Sequence, residues 1–418
     1  MVNAKVISVG DEILIGQIVN TNASYINYKL YSIGVKVEKV VTIGDNEEDL
    51  LKELDDSMKN FKVTLITGGL GPTHDDITKP ILVKYFKDEL VLHNDILEHV
   101  RKFFAKRNIV MPETNVGQAM MPSRSKVIWN HYGTAPGIWM EEMGRVFVAM
   151  PGVPFEMKAM IEDNILGMIK EYFAKDFDYV LKSKTILTTG IGESLLFEKI
   201  GNIEDVIGKH KMAFLPSPLG VRLRIDVKEK DEKSAAKEIE IIEKKLREKI
   251  DQYIFGENDD LIEEVIGRML KEKGLTLAVA ESCTGGLLAG RITDVAGSSD
   301  YFIGGITAYS NQIKEEFLGV KSETLMKYGA VSEETAKEMA YGIKTKFNSS
   351  IGISVTGIAG PGGGTPEKPV GLTYIGFCDG NQCYAVKWNF GDNRERNRTR
   401  TVQACLNLLR NELLKLTK

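Results

Sequence analysis

Apolar and polar positions along the chain follow two periods. Ala4–Val9 (AKVISV), Val35–Ile43 and Lys62–Thr67 (KVTLIT) are short apolar runs bounded by glycine, the pattern of buried strands. Between the first two, Asn22 to about Ser32 carries the helical period and stops at Gly34, a residue type that favours the left-handed turn past a helix end. The acids of Asp45-Asn46-Glu47-Glu48-Asp49 fall on the first turn of the next helix, where the dipole stabilises them. Val146–Met150 reads as a further strand, and Pro151-Gly152-Val153-Pro154 opens a helix with Pro154 near its first position. Strands alternating with helices of this length predict βαβ units and a mostly parallel sheet.

The pattern changes around Phe173–Tyr179. Lys182–Thr189 reads as a strand, Ile191–Ile200 as a short helix and Val221–Lys228 (VRLRIDVK) as a half-exposed strand. Lys228–Asp251 carries sixteen charged residues, eight of each sign, yet Ile239, Ile242, Leu246 and Ile250 recur at helical spacing. That combination predicts a solvated amphipathic helix. Beyond Asn258, Leu261–Lys273 reads as a helix stopped by Gly274, followed by a strand at Leu275–Ala280. Further strands are expected at Gly305–Tyr309, Ile351–Thr356, Thr373–Cys378 and Ala385–Phe390, with a closing helix from Arg394 to Leu416. The expected fold class is α/β: two three-layer α/β domains, residues 1–172 and 257–418, joined by a small α+β module at residues 173–256.

Composition narrows the function. A length of 418 residues suits about two to four domains, and a hydrophobic share of 43% is ample for real cores. A net charge of −4 argues against a protein built to coat nucleic acid. No run approaches the ~20 apolar residues that span a bilayer, so no membrane partner is expected. The N-terminus lacks the pattern of a signal peptide. The cysteines Cys283, Cys378, Cys383 and Cys405 form no CxxC pair and read as reduced thiols of a cytoplasmic protein. The 40 glycines exceed the usual share of about 7%, so their placement matters.

Much of that glycine sits at three strand ends. The first is Thr67-Gly68-Gly69-Leu70-Gly71-Pro72, running on to Asp75, Asp76 and Thr78. Glycines there let backbone N–H groups approach an anion, and the following helix start adds its dipole. Gly10-Asp11-Glu12 and Gly44-Asp45 end the neighbouring strands, so carboxylates converge where open α/β sheets bind ligands. The second is Ala280-Glu281-Ser282-Cys283-Thr284-Gly285-Gly286, a strand end with two competing nucleophiles. No histidine follows His210, so a serine here needs Tyr or Lys as its base, and Tyr309 and Lys314 fit that need. The third is Thr356-Gly357-Ile358-Ala359-Gly360-Pro361 with Gly362, Gly363 and Gly364, whose density suits approach to a phosphate. Arg394, Arg396, Arg398 and Arg400 then open the last helix, where like charge opposes the dipole and a bound anion would offset the cost.

These motifs carry a resemblance. Thr67-Gly68-Gly69, Gly71 and Asp76-Ile77-Thr78 are similar to the molybdopterin-binding fold of the MoaB/MogA and MoeA families. With Gly10–Asn22 (GDEILIGQIVNTN) and Met150–Met157 (MPGVPFEM) they look like the N-terminal domain of the CinA family. The resemblance implies an ADP-ribose pyrophosphatase that needs a divalent metal (Mg, Mn or Co). Asp11, Asp45 and Asp76 would face metal or phosphate, and Thr67, Gly68, Gly69 and Gly71 would cradle the phosphates. Leu70 stands where cofactor-synthesis enzymes carry Thr or another small residue, which weakens a molybdopterin role.

AESCTGG, TAYSNQIK, Gly329–Ala336 (GAVSEETA) and VTGIAGPGGG resemble the CinA C-terminal domain and the stand-alone PncC deamidases. That implies hydrolysis of nicotinamide mononucleotide to nicotinate mononucleotide and ammonia with no cofactor. Ser282 would be the nucleophile, activated by Tyr309 and Lys314. Glu281, Thr284, Gly285, Gly286, Thr356, Gly357 and Gly360, with Arg394 or Arg398 for the phosphate, would bind substrate. The middle module resembles the KH-like domain of the family through Thr189–Ser194 (TGIGES), though Gly190-Ile191-Gly192-Glu193 lacks the GXXG spacing of an RNA clamp. The family implies a homodimer. Two other readings stay open: a molybdopterin binder without hydrolysis, and a DNA-uptake or repair accessory.

Overall fold

In the computed structural model, which describes residues 2–416, the chain packs as two compact units. They are Met1–Ser183 with Val227–Lys237, and Lys184–Asp226 with Glu238–Lys418.

The first unit is built on β1 (Asn3–Val9), β2 (Lys36–Ile43), β3 (Val63–Thr67), β4 (Leu90–Leu92), β5 (Met120–Pro122), β6 (Lys126–Ile128), β7 (Gly137–Glu142) and β8 (Arg145–Met150). Six of these form one sheet in the order β2-β1-β3-β8-β7-β6. β1, β2, β3 and β8 run parallel, and β7 and β6 close the edge antiparallel. Every residue of β3 is buried, as expected of a parallel strand covered on both faces. The helix Thr21–Ser32 buries Ala23, Ile26 and Leu30, and Asn20 caps it by accepting from the Ala23 N–H, a cap worth about 1 kcal/mol. Lys5 lies fully buried within β1 because Glu53 and Asp56 reach its ammonium at 2.6 and 2.7 Å. The span 78–145, which the apolar pattern leaves unassigned, holds helices Thr78–Phe86 and Asn94–Ala105 and the short strands β4 to β7. Strands of three residues carry too little periodicity to be read from sequence.

The second unit includes most of a four-stranded sheet of β9 (Val180–Thr188), β10 (Lys211–Ser217), β11 (Gly220–Glu229) and β12 (Ile254–Glu257), in the order β10-β11-β9-β12. The charged segment forms one helix, Glu232–Ile250, whose apolar stripe Ile239, Ile242, Leu246 and Ile250 is buried. A second sheet follows: β13 (Leu277–Glu281), β14 (Phe302–Thr307), β15 (Ile351–Gly357), β16 (Leu372–Cys378) and β17 (Cys383–Asn389), in the order β14-β13-β15-β16-β17. The first three run parallel and the last two antiparallel. β14 starts at Phe302, ahead of the expected Gly305, because Gly304 and Gly305 lie inside the strand against Phe347 and Val279 instead of bounding it. The closing helix Arg394–Lys415 packs Val402, Leu406, Leu409 and Leu413 into the core.

Cys283 and Cys405 are free and buried, and Cys378 and Cys383 face each other directly across the β16–β17 ladder. Among the described residues no helix is long and apolar enough to cross a membrane.

Candidate functional site

In the first unit the chain moves from β1 to β2 on one side and to β3 on the other, so the strand order reverses between β1 and β3. Ligands bind at such switch points beyond the carboxyl ends of the strands. A cavity of about 750 Å³ opens there, lined by Glu12, Asp45, Thr67–Pro72, Asp75, Asp76 and Glu156 among others. Its size falls within the roughly 300–1,000 Å³ of small-molecule sites. The phosphate-loop candidates come together. Thr67 donates its hydroxyl to the Pro151 carbonyl at 3.1 Å and accepts from Asn22 at 3.3 Å. Gly68 adopts φ +109°, and a Cβ there would stand 2.2 Å from the Val9 carbonyl oxygen, so only glycine fits this approach. Thr78 closes the turn, donating its hydroxyl to the Gly68 carbonyl and its N–H to that of Gly69.

The three carboxylates expected at a metal do not assemble as a metal triad. Asp76 accepts from the Gly71 N–H at 2.6 Å and from the Thr73 N–H and hydroxyl at 2.8 and 2.6 Å, so it shapes the glycine loop. Asp11 and Asp45 do meet, each accepting the other's backbone N–H at 3.3 and 3.2 Å, but Asp11 is not among the residues lining the cavity. Asp45 does line it, together with Glu12 and Asp75. Burial, joined by the negative charges of Asp11, Glu12 and Asp75, pushes the Asp45 carboxyl above the ordinary carboxylate range. Among the described residues no three His, Cys, Asp or Glu side chains form a ready-made metal cage. An acidic cluster of oxygen donors that lacks a complete cage suits a hard divalent ion whose shell is finished by phosphate oxygens. Asp75 and Glu12 lie in the strand-end loops whose carboxylates the sequence marks, whereas Glu156 escapes a reading by sequence spacing although it lies inside the MPGVPFEM motif.

The second unit repeats the arrangement at the β13–β15 switch point. Ser282 follows β13 with its N–H bound to the Val355 carbonyl, and no hydrogen bond engages its hydroxyl among the described residues. Beside it, burial pushes the Cys283 thiol up to about 11. Lys314 is 1% exposed and donates to the Ala308, Tyr309 and Ser310 carbonyls at 2.9, 3.2 and 3.4 Å. Burial lowers its pKa below the ordinary 10.5, against a smaller opposing effect of Cys283. Tyr309 is exposed, and its hydroxyl lies 3.5 Å from Arg394 Nη2. Arg394 also donates to the Gly360 carbonyl at 2.8 Å, and Arg398 to the Thr284 carbonyl at 2.7 Å. Asn397, which no motif flagged, is buried between them and donates to the Ala359 and Gly391 carbonyls. Three strand ends and the start of the last helix thus converge, bringing together Ser282, Thr284, Tyr309, Gly360, Arg394 and Arg398. Ser282 makes no hydrogen bond with either Tyr309 or Lys314.

Two of the expected substrate contacts are engaged with the backbone. The Glu281 carboxylate accepts the backbone N–H groups of Gly286, Leu288 and Ala289 at 3.1, 3.0 and 2.8 Å, capping the helix Leu287–Thr293. This occupies the Gly286 N–H, and the Gly285 N–H turns back to the Ser282 carbonyl. The N–H groups of Cys283 and Thr284 enter none of these bonds. Thr356 is buried and donates its hydroxyl to the Ala330 carbonyl at 2.6 Å, tying the GAVSEETA turn to β15. The expected phosphate loop also divides: Gly357 ends β15 and Gly360 is buried, whereas Pro361–Glu367 is exposed.

Two switch-point arrangements on glycine loops, one in each unit, mark a multidomain α/β protein with a candidate site in each. Family models agree: a probable molybdopterin binding domain matches residues 5–171, the damage-inducible protein CinA KH domain residues 183–256, and the CinA C-terminal domain residues 259–413. A CinA-like protein of Kosmotoga olearia is 42% identical over 413 residues, covering 99% of both chains. Another of Cytophaga hutchinsonii is 41% identical over 411 residues, covering 98% of both. The chain belongs to the CinA family. Among solved structures, the competence/damage inducible protein CihA of Agrobacterium tumefaciens is 41% identical over 38% of this chain and 96% of its own, with a TM-score of 0.35.

Proposed function

We propose that this CinA-family chain is a two-site nucleotide hydrolase. Its C-terminal site deamidates nicotinamide mononucleotide, and its N-terminal site hydrolyses the pyrophosphate of ADP-ribose. The observation that carries the first assignment is Ser282, its hydroxyl unengaged among the described residues, at a switch point where Tyr309, Arg394 and Arg398 also converge. Ser282 attacks the amide carbon, and Lys314 takes its proton. A neutral Lys314 can keep its two shorter carbonyl bonds and turn the lone pair outward in place of the 3.4 Å contact. The N–H groups of Cys283 and Thr284, which donate to no backbone carbonyl, would meet the oxyanion. Ammonia leaves with the proton from Lys314, and water then hydrolyses the acyl-serine. A thiol held near 11 is almost wholly protonated at neutral pH, which supports serine over Cys283.

For the N-terminal site, Glu12, Asp45 and Asp75 are the residues that would hold a divalent cation, which when bound polarises the phosphates. The loop Gly68–Gly71 positions them. Ammonia release from nicotinamide mononucleotide tests the first half: Ser282→Ala is expected to lose about 10³-fold or more and Cys283→Ala less than about threefold. The reverse order would overturn it. AMP release from ADP-ribose with Mn²⁺ tests the second half, and tight binding without AMP release would leave the domain a binder.

A further inference from the structure

One wall of the N-terminal cavity holds a carboxylate that the glycine loops do not use. Glu156, on the helix Pro154–Met160, lines the cavity half-buried and forms no ion pair among the described residues. The nearest lysine on its helix, Lys158, lies over the Tyr25 ring instead. A single side chain fixes the carboxylate: Asn130 Nδ2 donates to Glu156 Oε2 at 2.6 Å. Asn130 is 3% exposed and spends its remaining capacity on holding itself still. It donates to the Ala135 carbonyl at 3.0 Å and accepts the Tyr132 and Gly133 N–H groups at 3.1 and 2.9 Å. Gly133 leaves the space the carboxylate occupies: a Cβ there would stand 2.1 Å from Glu156 Oε2 and 2.7 Å from Asn130 Nδ2. His99 Nε2 lies 3.4 Å from the Gly133 carbonyl. A buried network ending on an unpaired carboxylate inside a cavity has no evident packing purpose.

We propose that Glu156 is the general base of the N-terminal site, with Asn130 and Gly133 as positioning residues. The assignment rests on the pyrophosphatase reading of that cavity. Glu156 takes a proton from water as the water oxygen bonds to one phosphorus. The bridging P–O bond breaks with its electron pair going to the departing phosphate, giving AMP and ribose 5-phosphate. Burial holds the Glu156 carboxyl above its ordinary value, towards the range where a base works near neutral pH, while the Asn130 bond opposes the shift. Glu12, Asp45, Asp75 and Asp76 are the other acids facing the same cavity.

The test is AMP release from ADP-ribose with Mn²⁺ by the full-length protein between pH 5 and 9. Glu156→Gln is expected to lower kcat about 100-fold with KM within about threefold, and to abolish the rise of kcat on the acid side. Gly133→Ala keeps the carboxylate but displaces it, so kcat falls about tenfold and the acid limb remains. Unchanged melting temperatures show that both variants fold. A Glu156→Gln protein within threefold of wild type, or one that keeps the acid limb, overturns the assignment alone. A wild type that binds ADP-ribose and releases no AMP overturns the pyrophosphatase reading and the base with it.

Discussion

Arg398 donates from Nη2 to the Thr284 carbonyl at 2.7 Å, a bond that joins the last helix to the loop after β13 across 114 residues. Its Nε is buried without a partner, as is the Thr284 hydroxyl. Arg398 thus ties the loop to the last helix. Arg394, four residues earlier, stays exposed and holds only the Gly360 carbonyl at short range, so it keeps donors free for a phosphate.

The two arginines should separate kinetically. Arg394→Ala is expected to raise KM for nicotinamide mononucleotide about tenfold or more with kcat within threefold, the sign of a lost ground-state phosphate contact. Arg398→Ala should instead lower kcat and melting temperature together. Steady-state rates of ammonia release on both variants, with thermal unfolding, decide it.

Lys314 sets a pH dependence. Burial lowers its pKa below 10.5, so the neutral amine that acts as base grows as pH rises. Log kcat of the deamidase should climb with unit slope through the alkaline range and level off below pH 10.5. A profile flat from pH 6 to pH 10 would exclude Lys314 as the base. Lys314→Met should abolish the rate.

Glu281 should matter for stability more than for affinity. Its carboxylate satisfies three N–H groups of a helix start and is 1% exposed. Glu281→Ala strands those donors and is expected to cost about 3 kcal/mol. Chemical unfolding of the variant measures the loss, and a wild-type midpoint with weakened substrate binding would return Glu281 to the substrate site.

The N-terminal acids divide by role. Asp45→Asn should shift the Mn²⁺ activation midpoint about tenfold or more, because Asp45 faces the cavity among like charges. Asp76→Asn should leave that midpoint within about threefold and weaken ADP-ribose binding, since Asp76 holds the glycine loop. Metal titrations of AMP release read both numbers.

Much of the fold was legible in the apolar pattern. β1, β2, β3, β8 and the helices with clean periods fall within a few residues of expectation, because burial on one or both faces imposes the period directly. β6 and β7 were not legible: strands of three and six residues at the sheet edge are specified by pairing, β7 with β8 and β6 with β7, not by their own sequence. Asn130 and Gly133 were invisible for a related reason, since their meaning lies in Glu156, more than twenty residues away.

The sequence by itself determined the alternation of elements, the placing of glycine at strand ends, and the grouping of Ser282, Lys314 and the arginines in one domain. All of these are local matters of period and backbone freedom. Only the tertiary structure decided what each side chain does there. Glu281, Thr356 and Asp76 are spent on backbone groups, whereas Arg394 and Glu156 keep free atoms. A polar atom has few bonds to make, and which partner takes them depends on what packing brings within about 3 Å.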